Sequence, residues 1–530
     1  MTDENVNPQN VESKAGGHTK MYGVCENKCF VEVSPKTDTD AVADRVDTLE
    51  DKVSTIETEQ DTQDNAINAN TQGRITGVET TIDNEMKLHV KLTRQSGNPL
   101  EGIATIPNLG GINFVNELPS NPVPGSVYGI IPKYGVGWKN IELLNYYLEN
   151  EIPDDTIYSI IYDKSKASDS YGCLEYADFC EGFEPMTGGN GNADEGDWKE
   201  GNTTLFDKIE VGYFDLPPNT GSNWLSAHTI WTKVNKNNVS FKSFYNFTKI
   251  PKIYQKIESL DSNRKKLSIS LAPFSGATLH PSFVVDGVEK PYTYIGRNLG
   301  YGVYSGGEPY WLTSYADGSP TVSLTRAKFR ELAQRNDNCN ITSYYDRDLV
   351  NKLYLFAFKD WNSQKALGAG VTRASSVHNT GGTAGKSWMY GTTDNSEQMS
   401  FLGLEDWWGN IYQFIDDYVL YNGTIYAGTN SNPTDNTTGK TAIGSFVGSS
   451  EAYPLRCKFG LNDTFISEAS GGSATAGICD YQYWNNSGTY IAHAGGGWDY
   501  RSLAGAFCLR SNYSVSYSHS TLGARLTYKP

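Results

Sequence analysis

Long apolar runs are missing from these 530 residues. Nowhere do about 18 apolar residues follow one another, so no segment reads as a membrane-spanning helix. Positive charge is short as well. Lys and Arg total 44 against 61 Asp and Glu, a formal net charge of −17. A chain of that sign is repelled by phosphate backbones and anionic bilayers, which argues against nucleic acid and membrane insertion. The opening MTDENVNPQNVESKAGG lacks the basic start and apolar core of a secretory leader, so the sequence predicts a protein without a signal peptide, released by lysis or a dedicated machine. Cysteine is sparse: Cys25, Cys29, Cys173, Cys180, Cys339, Cys457, Cys479 and Cys508 are scattered, and the core does not call for disulfides. Cys25 with Cys29 and Cys173 with Cys180 raise a zinc reading. Their spacings fit no usual ligand pattern, so free thiols are the default, and neither metal nor cofactor is expected.

What is present points to strands and loops. Aromatics make up 12% of the chain, with 34 Tyr and 11 Trp beside 53 Gly, a mix suited to exposed rings and tight turns rather than to a helical bundle. The length calls for several folding units. Residues 1–39 are polar and read as an attachment segment. Val42, Val46, Leu49, Val53 and Ile56 then recur at alternating steps of four and three, a heptad seam. Gln60 and Gln63 continue it, Ile67 restores it, Thr71 and Ile75 interrupt it with a stutter, and Val78 and Ile82 resume it. A stripe of this kind needs partner chains, so 40–86 is expected to be a coiled-coil stalk; a single amphipathic helix laid on a globular domain is the competing reading.

Beyond the stalk, the alternation of Met86, Leu88 and Val90 predicts a strand. Residues 87–165 read as a β-rich connector, 166–265 as an intermediate β-rich domain, and 266–530 as the head. Residues 113–131 read as strand, Pro/Gly turn, strand, and 185–203 as a flexible loop. Two helices stand out in the head. One runs from about 323 to 335, with Leu324, Ala327, Phe329 and Leu332 on a side. The other runs from about 346 to 361 and is apolar nearly all round, hence buried. The fold class expected is α+β.

Gly403-Leu404-Glu405-Asp406-Trp407-Trp408-Gly409-Asn410 leads into Ile411-Tyr412-Gln413-Phe414, and Gly495-Gly496-Gly497-Trp498 and Gly523-Ala524-Arg525-Leu526 follow near the end. These stretches resemble the fold markers of the formylglycine-generating, sulfatase-modifying superfamily, which uses a C-type-lectin-like fold. Segments 278–296, 319–335, 360–370 and 498–526 look like the head of phage tail-fibre proteins, whose last segment is in some relatives rewritten by diversity-generating retroelements. Residues 113–131 resemble a small connector of phage fibres. The resemblance covers about 266–530. It implies a trimeric receptor-binding tail fibre in the virion, with phage tail or baseplate proteins at the N-terminus and a host cell-surface receptor, glycan or protein, at the head.

The residues depart from the enzymes of that superfamily. Counting from Trp498, the positions of the enzymes' two active-site cysteines hold Tyr500 and Gly505, and Cys508 reads as a small buried apolar group. The head's histidines, His280, His378, His493 and His519, show no ligand spacing. Asp416 and Asp417, adjacent on a strand, point to opposite faces and form no acid–base pair. No catalytic residue is assigned; a bacterial surface adhesin and a sulfatase-modifying enzyme remain as alternatives.

From Ser511, Ser alternates with Tyr513, Val515, Tyr517 and His519. If extended, one face is small and the other large and varied, a paratope-like chemistry; a half-buried strand with Ser outward and Tyr inward is the plainer reading. Together with these residues, the resemblance implies a receptor contact at Tyr483, Asn485, Tyr490, Asp499, Tyr500, Arg501, Leu503, Arg510, Asn512, Tyr513, Tyr517, His519 and Thr521. The resemblance implies that Trp498, Gly505, Phe507, Leu522 and Arg525 are framework.

Overall fold

In a computed structural model of the chain, residues 154–216, 230–240 and 243–530 are described throughout; within the first 153 residues, short strands alone are described. The chain divides into two compact units, Met1–Ile152 and Pro153–Pro530.

In the first unit, Ile75–Ile82, Lys87–Arg94 and Leu100–Thr105 form an antiparallel meander. The strand expected near Leu88 and Val90 is therefore present. The last part of the seam is corrected: Val78 and Ile82 lie on a strand, opposite Leu92 and Leu88. Six of the eight residues in ITGVETTI are β-branched, which stiffens χ1 and favours the pleated conformation over a helix. Residues 40–74 of the expected stalk lie outside the described residues, as does most of the attachment segment. Ile112–Val115 and Val127–Ile130 are two strands, as expected around the Pro/Gly turn, and they pair in parallel.

The second unit is rich in strands with few helices, the content expected of an α+β, C-type-lectin-like head. Its boundaries differ from expectation. Tyr158–Asp163 pairs with Arg264–Ser270, and Tyr245–Pro251 pairs with Tyr292–Gly296, so strands on both sides of 165/166 and 265/266 share sheets. Main-chain pairing across those positions makes 153–530 one unit. The C-terminal strand Leu526–Tyr528 lies between Tyr292–Gly296 and Cys339–Ile341, joining the end of the chain to strands far upstream.

Both expected helices form. Arg326–Gln334 starts where the Thr325 side chain accepts from the Lys328 amide, and it buries Phe329, Leu332 and Ala333. Tyr344–Phe358 starts in a reciprocal capping box of Ser343 and Asp346, and all fifteen of its residues are buried, as an all-round apolar pattern demands.

The Gly403–Asn410 marker is a buried turn. Asp406, Gly409 and Asn410 have positive φ, and a side chain at Gly409 would put Cβ 2.8 Å from the Val371 carbonyl oxygen. Trp407 and Trp408 are fully buried, their indole N–H groups donating to Asn351 (2.9 Å) and to the Gly368 carbonyl (3.1 Å). Arg525, 0% exposed, locks the chain end onto this turn. It donates to Gln413, to the carbonyls of Gly296 and Arg297, and to those of Glu405 and Asp406. That is the framework role the sequence suggests.

The segment 185–203, expected as a flexible loop, is packed. Asn190–Asn192 pairs with Tyr390–Thr392, and Trp198 is fully buried against Phe183 and Phe206 with its N–H on the Tyr176 hydroxyl. Buried Trp198 and Met186, with main-chain bonds to Ala357, Ala366 and Leu367, anchor a stretch whose composition reads as loop.

Candidate functional site

One sheet of the second unit carries most of the expected contact residues. Its strands run in the order Thr441–Ser445, Thr424–Ala427, Tyr412–Tyr421, Thr489–Ala494, Leu509–Tyr513, Gln482–Trp484 and Glu451–Ala452. Across it, Phe414 faces His493, His493 faces Arg510, and Arg510 faces Tyr483. Two residues further along, Ile491 faces Tyr513, although Tyr513 is three residues from Arg510. Leu509–Tyr513 therefore bulges by one residue. The bulge turns Tyr513 onto the face of Arg510, where strict alternation would have placed it on the other side.

The result is an arginine enclosed by tyrosines. The Arg510 guanidinium lies 5.1 Å from the centroid of Tyr483, 5.5 Å from those of Tyr500 and Tyr513, and 6.0 Å from Tyr412. Its Nη1 also donates to the Tyr500 hydroxyl. Tyr412 meets His493 and Tyr500 edge-on at 4.7 and 4.8 Å. A column of near-parallel rings runs outward from buried His493 through Tyr513 and Tyr517 to exposed His519. Burial, with the Arg510 charge adding to it, holds His493 well below the usual imidazole range, so it is neutral at the base of the column.

The segment after Tyr513 is not the extended strand expected. The strand ends at Tyr513, and a turn closes with the Tyr517 amide donating to the Ser514 carbonyl at 3.1 Å. Ser514, Ser516, Ser518 and Ser520 are exposed, while Val515 and Tyr517 pack partly against the core. The sidedness of the plainer reading is thus present, carried by a turn. Five small or polar residues in seven weaken strand propensity enough for the turn to win.

None of the thirteen expected contact residues is buried. Asp499, Arg501 and His519 are exposed, and the others are half-buried. The structure brings together Tyr483, Tyr500, Arg510, Tyr513, Tyr517 and His519, with Thr521 bonded to the His519 ring at 2.9 Å. Asn485 borders the group through the Asn512 carbonyl, 3.3 Å away. Asp499, Arg501 and Leu503 stand around the short 3-10 turn at Arg501–Leu503. Tyr490 is set apart. It packs on the opposite face of the sheet, against the cluster that includes Trp484 and Leu420. Among the framework residues, Phe507 and Leu522 are 2% exposed and Gly505 is buried. At Gly505, φ is +153°, and a Cβ would fall 2.0 Å from an Asp480 oxygen. Trp498 is corrected: it is half-buried, anchored through its backbone to Asn410 and Ala374 rather than sunk in the core. Sequence reasoning missed Tyr412 and His493 as members of the cluster. Strand alternation puts Tyr412 on the face of Phe414, but the strand register that brings both to Arg510 has no local signal.

Burial pushes the Cys508 thiol far above its ordinary range, so it stands protonated as a small buried group. Asp416 accepts from Arg330 at 2.6 and 2.8 Å, and Asp417 from Lys440 and Asn430, so each adjacent carboxylate is neutralised by its own partners. The alternation expected of them is corrected: both line one cavity of about 240 Å³, because Asp417 has positive φ in the irregular stretch between Ile415 and Leu420; Asp346, which pairs with Lys529 at 2.8 Å, lines it too.

No family model matches the chain, and no curated protein matches its sequence. Among solved structures, it is similar to the I1 variant of Major Tropism Determinant, at 13% identity over 87% of this chain and 86% of that one, with a TM-score of 0.23. The U1 and M1 variants of the same protein align at 13% identity over 87% of this chain and 85% of theirs, each with a TM-score of 0.22.

Proposed function

We propose that this chain is the receptor-binding protein of a phage tail fibre and that it adsorbs to a bacterial surface receptor through the Arg510 face of its C-type-lectin-like head. The observation that carries the reading is the ring cluster: Tyr483, Tyr500 and Tyr513 sit half-buried at the surface around one arginine, with half-buried Tyr517 stacked on Tyr513, beside exposed serines. Tyrosine supplies broad contact area with few torsions to freeze, serine supplies adaptable hydrogen bonding, and hot spots are rich in Tyr and Arg. In this reading residues 40–74 hold three chains together and 1–39 attach them to the tail or baseplate. Three linked heads turn modest affinity into avidity; sedimentation of the full chain as a monomer would remove that part of the proposal.

The test is adsorption of the purified full chain to bacterial cells that bind it, compared with Tyr513→Ala/Tyr517→Ala. The double variant is expected to lose binding, since truncating a central hot spot costs about 2 kcal/mol or more. A thermal melt taken alongside shows that the head remains folded. Adsorption equal to the parent's would place the receptor contact elsewhere.

A further inference from the structure

Arg510 differs from the arginines in the interior. Five arginines are buried among the described residues: Arg297, Arg326, Arg330, Arg347 and Arg525. Each meets two or more oxygens. Arg297 lies against Glu405 and Thr383, Arg326 and Arg330 against Asp435 and other acceptors, Arg347 against the carbonyls of Trp407 and Ala506, and Arg525 against five acceptors. Among the described residues the half-buried Arg510 makes one hydrogen bond, to the Tyr500 hydroxyl, and meets no carboxylate within ion-pair range; its Nε, like that of Arg347, is buried with no acceptor. A guanidinium has five N–H donors in a planar fork. Here the fork lies among tyrosine rings whose faces favour a cation without neutralising it. In a chain of net charge −17, a preorganised, unneutralised guanidinium at the surface is built to meet an anion from outside.

We infer that Arg510 and the tyrosines around it form a subsite for an anionic group, a carboxylate or a phosphodiester, carried on a cell-surface polysaccharide. This rests on the adsorption reading above and specifies its ligand. The polysaccharide follows from what surrounds the charge. Tyr513 is covered on both faces by His493 and Tyr517, so the apolar surface left to the C–H side of a sugar is the exposed part of the half-buried Tyr483 and Tyr517 rings, and the exposed hydroxyls of Ser514, Ser516 and Ser518 offer donors and acceptors to its hydroxyl groups.

The experiment titrates the full chain calorimetrically with an oligogalacturonate, a poly(glycerol phosphate) and a neutral galactan. At least one anionic polymer is expected to bind about tenfold or more tighter than the galactan, and added salt should narrow the gap. Arg510→Gln should lose that preference. Arg510→Lys should keep part of it, since the charge stays and the planar fork goes. Lowering the pH below about 3.5 discharges a carboxylate and leaves a phosphodiester charged, so the surviving binder names the anion. Equal binding of charged and neutral polymers, or Arg510→Gln binding like the parent, would overturn the inference. So would adsorption to cells that is lost on protease treatment and kept after periodate oxidation, which would point to an acidic protein. If Tyr513→Ala/Tyr517→Ala abolishes adsorption while Arg510→Gln leaves it intact, the anionic subsite fails and the adsorption reading stands; if both variants adsorb like the parent, both fail.

Discussion

Replacing Arg525 by Met tests how the end of the chain holds the head together. The side chain is wholly buried and donates five hydrogen bonds: to Gln413 at 2.8 Å, to the carbonyls of Gly296 and Arg297 at 2.8 and 2.7 Å, and to those of Glu405 and Asp406 at 2.6 and 3.0 Å. Its guanidinium also lies 5.6 Å from the centre of the Trp407 ring. Methionine fills much of the same volume, so the loss is mainly polar. It leaves several buried oxygens without a donor, each costing roughly 1–3 kcal/mol when unsatisfied. Burial of the guanidinium offsets part of this, because taking that charge out of water is costly and its pKa is depressed to about 10. The net expectation is a loss of about 3–5 kcal/mol, in line with breaking other buried charged networks. Arg525→Lys should fall between, since an ammonium cannot span acceptors arranged for a planar fork. Urea titrations of the full chain, followed by tryptophan fluorescence, measure the loss. A Met variant within about 0.5 kcal/mol of the parent would refute the reasoning, and would mean that water or a shifted side chain takes over the acceptors.

Two further outcomes follow from the same framework. Phe507, 2% exposed against Trp361, Tyr354 and Phe465, should cost about 3–5 kcal/mol when replaced by Ala, whereas half-buried Trp498 should cost distinctly less; the order of their melting temperatures decides it. Asp406 is raised to about 7 by burial, with the neighbouring Glu405 charge adding to the shift. Its folded pKa thus lies above its unfolded value. The stability this contributes is present below about pH 4 and is lost as pH rises through about 7. Asp406→Asn should flatten that decline, seen as a smaller difference in denaturation midpoint between pH 5 and pH 8.

Patterns that act along the chain were legible before any tertiary structure. The stretch near 346–361, apolar nearly all round, is a buried helix, and the charged side chains that it carries inward are paired, as Lys352 is with Asp348. Where the two helices begin was set by caps that the apolar pattern did not mark: the Thr325 and Ser343 side chains serve the orphan amides one turn ahead. Gly403–Asn410 is a tight turn because its glycines, with Asp406 and Asn410, supply left-handed backbone that bulkier residues resist. The framework places of Arg525, Phe507 and Leu522 followed from the resemblance of the chain end to tail-fibre heads, not from a local pattern. Trp198 and Trp498 reversed their expected places, since ring size alone does not say which of two segments has room beneath it.

Pairing between strands distant in sequence was decided in three dimensions. Ile75–Ile82 carries a helical spacing and a β-branched composition at once, and the neighbouring strand Lys87–Arg94 resolves the conflict by offering its ladder. The strands of 153–265 joined those of 266–530 because main-chain hydrogen bonding ignores changes in composition along the chain. The arginine face depended most on this. Tyr412, Tyr483, Tyr500 and Tyr513 are spread over a hundred residues, and one extra residue in a strand turns the last of them toward Arg510. The sequence determined which residue types stand near the chain end. Register and a bulge, set by long-range pairing, decided that four rings would enclose one charge.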